Sequence, residues 1–185
     1  DRLGNQQVTV FDPLDRAASN EDGTGAGQSF AYDANDNATS ATNALGAATH
    51  TAFDSSGNVI ERVDALGRAV RTGYDLGNRP LTVVDSLGKR TTFEYDAFGN
   101  LTSETDALGH AKSYEHDAMG LLSAYTDPNR NRYLYRRNAA GDVEQTIDPL
   151  GGMLRTEYDE MGRAKASYDE NGNGTFATFD ASGRA

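Results

Sequence analysis

Cysteine is absent from the 185 residues, which excludes a disulfide framework, a zinc ribbon and a thiol nucleophile and leaves the redox compartment open. Large apolar side chains are scarce: Leu, Ile, Val and Phe number 14, 2, 8 and 7. With a net charge of −11, so little apolar content is the composition of a chain that cannot offset its ordering entropy by burial. The Gly- and Ala-rich stretch 20–27 is where that weakness is greatest. Basic residues are few, 17 against 28 acids, and they form no cluster; a phosphate backbone would be repelled, so nucleic acid is excluded as a partner. No apolar run approaches membrane length and no charged-then-apolar segment opens the chain, so an export signal is expected outside it.

What the sequence has instead is a period. Aromatic-then-Asp pairs stand at Phe11-Asp12, Tyr32-Asp33, Phe53-Asp54, Tyr74-Asp75, Tyr95-Asp96, Tyr158-Asp159 and Phe179-Asp180, spaced by 21 or a multiple of it. The two missing cycles fall at His116-Asp117 and Arg137-Asn138, where only the aromatic is lost. A second series runs half a period out of phase through Asp1, Asp22, Asn43, Asp64, Asp85, Asp106, Asp127, Asp148 and Asp169. Gly follows three positions later in six of nine first-series cases and eight of nine second-series cases.

Asp or Asn at the first place and Gly at the fourth is the chemistry of a type I turn whose last residue takes positive φ on re-entering a strand. Each Asp-x-x-Gly therefore reads as a chain reversal, with turns expected at 54–57, 64–67, 85–88, 96–99 and 106–109. The intervals between reversals are of strand length. Phe93 and Tyr95 fall on one face of 91–95, and 101–105 and 59–63 read as returning strands. Turns every 10 or 11 residues predict an all-β antiparallel meander of about nine hairpin repeats. Helix is disfavoured, because no long segment lacks a turn signal. Equal phase implies equal place, so Tyr32, Phe53, Tyr74, Tyr95 and Tyr158 are expected on equivalent strands and one face, stacked as ladders between hairpins.

The unit Tyr95-Asp96-Ala97-Phe98-Gly99-Asn100-Leu101-Thr102, continuing to Asp106-Ala107-Leu108-Gly109, resembles the consensus of RHS (YD) repeats over essentially the whole chain. It is strongest from Asp54 to His116 and weakens from Asp127 to Asn138. The resemblance implies a long antiparallel sheet spiralling into a hollow shell, as in bacterial Rhs polymorphic toxins, the cocoon of insecticidal toxin complexes and teneurins. In the bacterial members the shell encloses a C-terminal toxic domain. It thus implies a structural, non-enzymatic segment, secreted or at the cell surface. Its partners would be flanking repeats of the same polypeptide, or copies of itself end to end, and an enclosed toxin. The other reading of the same repeats is a non-toxin structural or adhesive fibre or tube.

Each chemical motif has a turn-residue explanation. The family's shells release cargo by autoproteolysis at an Asp-rich motif containing Asp-Pro, and Asp127-Pro128 and Asp148-Pro149 are superficially similar to it; both nevertheless occupy ordinary second-series turns, where Pro is favoured at the second place. Asp169-x-Asn171-x-Asn173-Gly174 with Asp180 has EF-hand spacing, yet Asp169 and Asp180 are the turn residues that the period requires. His50, His110 and His116 lie at different phases and form no ligand set. No catalytic, cofactor or metal residue is assigned. Residues 1–185 are expected to be an interior slice of a longer array, since neither end has the atypical sequence of a capping repeat.

Overall fold

The computed structural model describes residues 7–179, which form antiparallel strands joined by tight turns, with no helix among them. The chain divides into two compact units, Asp1–Thr92 and Phe93–Ala185. The first holds β1 (Val8–Phe11), β2 (Ala17–Glu21), β3 (Gly27–Tyr32), β4 (Ala38–Thr42), β5 (Ala48–Phe53), β6 (Val59–Val63), β7 (Ala69–Tyr74) and β8 (Pro80–Val84), and ends inside β9 (Arg90–Tyr95). The second continues with β10 (Leu101–Thr105), β11 (Ala111–His116), β12 (Leu122–Thr126), β13 (Arg132–Arg137), β14 (Val143–Ile147), β15 (Met153–Tyr158), β16 (Ala164–Tyr168) and β17 (Gly174–Phe176). Within each unit every strand pairs with the next in sequence, as a meander does.

The expected turns at 54–57, 64–67, 85–88, 96–99 and 106–109 all form, and 59–63 and 101–105 are returning strands. The stretch 20–27, weakest by composition, closes β2 and opens β3 through a turn of the same kind, because Asp22 and Gly25 supply the reversal that its apolar content does not. First- and second-series hairpins differ in register. Where Phe53 pairs with Val59 and Ala52 with Glu61, one extra residue sits on the returning strand, and the same shift recurs at the other resolved first-series pairings. Second-series pairings such as Glu61↔Arg71 and Val63↔Ala69 run in step. A bulge of this kind bends the pair and increases its twist.

There is almost no interior. Ala124 and Ala166 are the only buried apolar residues among those described, at 2% and 6% exposure. Every other strand side chain is half-buried or exposed, which is the burial of a single-layer sheet wetted on both faces. Stability is consequently spread along the array through neighbour contacts.

Candidate functional site

The repeated structural site is the hairpin turn with the residues that tie one hairpin to the next. In each of the sixteen described turns the first residue's N–H donates to the fifth residue's carbonyl, and the fourth N–H donates back to the first carbonyl. The Asp or Asn Oδ1 then accepts from the third and fifth N–H groups, as at Asp54, where Ser56 and Asn58 both donate over 2.9 Å. The fourth residue has positive φ throughout. Twelve of these positions are Gly; the other four are Asp15, Asp36, Asn78 and Arg130, the places where the Asp-x-x-Gly pattern lapses. Backbone closure and the Asx side chain thus dictate the geometry, and Gly is its least strained occupant rather than its cause.

The fifth residue supplies a further tie that the repeat pattern did not single out. Arg79 donates to Asp75 Oδ2 at 2.7 Å, and Asn58, Asn100 and Asn131 donate to Asp54, Asp96 and Asp127 in the same way. These bonds hold many turn carboxyls below the usual Asp range. Side-chain donation by Arg16, Asn37, Asn58, Asn100, Asn131 and Asn173 is the leading cause at Asp12, Asp33, Asp54, Asp96, Asp127 and Asp169. The fifth backbone N–H leads at Asp64, Asp75, Asp106 and Asp159. The sequence signal was available: Asn, Arg or His recurs immediately after the tetrad.

First-series turns also reach one another. Arg16, fifth in its turn, donates to Asp36 Oδ1 at 2.6 Å, fourth in the next first-series turn, and Asn58 donates to Asn78 Oδ1 at 2.7 Å in the same relation. Asp36 and Asn78 are non-Gly residues at positive φ; their side chains receive the preceding turn's donor, which offsets part of the backbone strain. Arg16 additionally lies 4.6 Å from the centroid of the Tyr32 ring, and Arg163 stands in the same way 4.3 Å from Phe179.

The period-21 aromatics end equivalent strands and, being in equal phase, share a face within each unit; Tyr32, Phe53, Tyr74, Tyr95 and Tyr158 are all half-buried. The expected ladder of their rings is corrected by the structure. Successive members are two strands apart, about 9.6 Å, which is beyond ring-stacking reach. The hydroxyl spans the gap instead: Tyr32, Tyr74 and Tyr158 donate to the carbonyls of Ala17, Val59 and Val143, each 15 residues earlier. Arg137, which stands where the aromatic is lost, donates from its guanidinium to Leu122, again 15 residues back. Close ring pairs lie elsewhere, at Tyr114–Tyr125 and Tyr125–Tyr133, with centroids 5.5 and 6.0 Å apart on directly opposed residues of β11, β12 and β13, and at Tyr168–Phe176, 5.8 Å apart between β16 and β17.

The motifs with possible chemistry fall into the same frame. Asp127 and Asp148 each accept two turn N–H bonds at 2.8 to 2.9 Å, as ordinary turn residues. Asp169 spends Oδ1 on Asn171 and Asn173 and Oδ2 on the Asn173 amide, so its carboxylate faces its own turn; Asp180 lies outside the described residues. His50 is exposed on β5, His110 sits 3.0 Å from Asp106 as a fifth residue, and His116 ends β11 at the aromatic phase. His116 lines a groove of about 550 Å³ with Asp96, Phe98, Asn100, Asp117 and Met119, and its buried Nδ1 has no partner. Both carboxylates there are turn acceptors. No group of three or more His, Cys, Asp or Glu among the described residues is arranged to hold a metal.

The RHS Repeat family model matches residues 32–69, 53–90, 74–111 and 95–132, together more than half of the chain. No curated protein matches by sequence. Among solved structures, the Tc holotoxin pore of Photorhabdus luminescens is similar in fold, with a TM-score of 0.60 at 11% identity over 88% of this chain and 12% of that one. TcdB2-TccC3 has a TM-score of 0.38 at 13% identity, over 100% of this chain and 16% of that one. The chain thus spans less than a fifth of the length of the structures it matches.

Proposed function

Because the chain belongs to the RHS repeat family, we propose that its hairpins form part of the wall of a hollow shell that encloses a toxic C-terminal domain of a secreted or surface-displayed bacterial protein. The observation that carries this reading is a sheet with almost no core whose hairpins are tied one to the next, at backbone carbonyls 15 residues away and from turn to turn. Such a wall is extendable by repetition and resists opening without needing a second layer. The likeness to a Tc holotoxin supports it at the level of fold. Its role is enclosure and not catalysis, since each acid with catalytic spacing is already a turn acceptor.

On this reading the 185 residues are a stretch of a longer array. Among the described residues β1 pairs only with β2, and β17 only with β16, so each leaves a row of backbone groups to be covered. Flanking repeats of the same polypeptide, or copies of this chain end to end, would cover them. The test is electron microscopy of the full polypeptide that carries these repeats, combined with limited proteolysis. A closed particle whose C-terminal domain resists protease until the shell is opened is expected. Long filaments without an enclosed domain would favour a surface fibre and overturn the toxin reading.

A further inference from the structure

The second-series edge of the first unit carries a row of apolar tips that the wall itself leaves unused. Leu45, Leu66 and Leu87 occupy the third place of three successive second-series turns and are 93%, 78% and 79% exposed. They are held outward: their N–H groups donate to Asn43, Asp64 and Asp85 Oδ1 at 2.8 to 3.0 Å. A Cβ placed on Gly46, Gly67 or Gly88 would meet nothing within 4 Å, so the space beside each tip is open. Neighbouring tips are separated by two strands, about 9.6 Å.

Charge sets this edge apart. The chain carries −11, yet the four second-series pentapeptides of the unit, 22–26, 43–47, 64–68 and 85–89, sum to −1, and the three that carry the leucines sum to zero, with Asp64 paired to Arg68 at 2.6 Å. The first-series pentapeptides of the same unit, 12–16, 33–37, 54–58 and 75–79, sum to −4, and only Leu14 is a large apolar residue at their third place. An acidic copy of the chain would be repelled at the first-series edge but not at the second-series one. Only a surface with the same pitch can engage all three tips together, and the same edge of another copy has that pitch.

We propose that the Leu45–Leu66–Leu87 edge is a self-association surface, on which a second copy of this chain packs edge to edge with the leucine tips of each entering the gaps of the other. Three tips a side make a small contact. Association of a single chain is therefore weak, with Kd of order 10–100 µM, and strengthens where longer arrays present more tips in register. This contact uses the turns and is separate from pairing through the terminal strands.

Sedimentation velocity of the 185-residue chain over a dilution series is the first measurement, and a reversible dimer is expected. The variant Leu45→Asn/Leu66→Asn/Leu87→Asn keeps a residue that these turns accept, since Asn35, Asn129 and Asn171 stand at the same place. It should dimerise at least tenfold more weakly with unchanged circular dichroism and unfolding midpoint. The native sequence has no cysteine, so Leu66→Cys and Thr9→Cys can each be probed with a short bis-maleimide. Cross-linking is expected at residue 66. A chain that stays monomeric at several times the expected Kd, a triple variant that associates as tightly as the parent, or cross-linking at residue 9 with none at 66, would each overturn the proposal.

Discussion

A methyl group placed on Gly120 or Gly141 would come against Asn100 or Leu121 of the preceding first-series turn, whereas at Gly57 and Gly162 of the same series, and at Gly25, Gly46, Gly67, Gly88, Gly109, Gly151 and Gly172 of the second, it would meet nothing within 4 Å. Both series close the same backbone loop with the same Asx acceptor. The surroundings differ because first-series strands carry the bulge and end in the aromatic or Arg137, which reaches across to a carbonyl 15 residues back. First-series turns are tied to one another at Arg16–Asp36 and Asn58–Asn78, while the space beside Gly46, Gly67 and Gly88 of the second series is open. The same turn chemistry thus sits in different surroundings at Arg16 and Asn58 than at Asn43, Asp64 and Asp85.

The comparison breaks most visibly at the aromatic tie. Tyr74→Ala removes a half-buried ring and the bond to the Val59 carbonyl, and should cost about 2–3 kcal/mol, less than for a fully buried aromatic. Tyr74→Phe keeps the ring and should cost about 1 kcal/mol. Leu66→Asn, on the open edge, should change the urea midpoint by less than about 0.5 kcal/mol equivalent. Similar losses for Tyr74→Ala and Leu66→Asn would mean that the two edges contribute alike.

The fourth turn position sharpens the contrast at smaller magnitude. Arg130 has φ of 67° in a second-series turn, so Arg130→Gly should stabilise by about 1 kcal/mol as the left-handed strain is relieved. Asn78 has φ of 61° but accepts from Asn58, so Asn78→Gly relieves strain and loses the tie together. Its net change should lie within about 0.5 kcal/mol of zero. Equilibrium denaturation of the two variants side by side checks the pair, and a stabilisation by Asn78→Gly equal to that of Arg130→Gly would show the tie to be worthless.

Turn positions, strand lengths and the all-β class were legible because Asp-x-x-Gly is a local signal: closure involves residues one to five, all inside one window of sequence. The equivalence of Tyr32, Tyr74 and Tyr158 was legible because an array without insertions preserves phase. Their ring ladder was misjudged, since spacing along the chain does not state that equal phases lie two strands apart. The bulge was invisible for a related reason: an extra residue in one strand is defined only against its partner, as with Phe53 opposite Val59. The arginine tie at Arg137 was readable only as a lost aromatic, because a guanidinium reaching a carbonyl leaves no periodic trace.

The smallest expected effect per site is the acid response, and it too divides the two series. The carboxyls of Asp75 and Asp64 are both held below their ordinary value, chiefly by the N–H of Arg79 and Arg68 respectively. A depressed folded-state pKa means that the unfolded chain binds the proton more tightly; the stabilisation is present above the unfolded value, near 4, and is lost as pH falls through the folded one. Neutral pH is therefore the stable side, and acidification below about 4 should progressively weaken the array, since many turns carry such a group. Asn43 and Asn138 show that Asn performs the Oδ1 acceptor role without ionising. Asp75→Asn and Asp64→Asn should accordingly keep their turns and each remove one carboxylate's share of the acid sensitivity. The Asp75 carboxylate is the less exposed, 18% against 37%, and its pair with Arg79 is less screened by water than that of Asp64 with Arg68. Urea midpoints measured at neutral and acid pH should therefore converge more in Asp75→Asn than in Asp64→Asn. Equal convergence would place the two turns in equivalent surroundings and remove the electrostatic part of the difference between the edges.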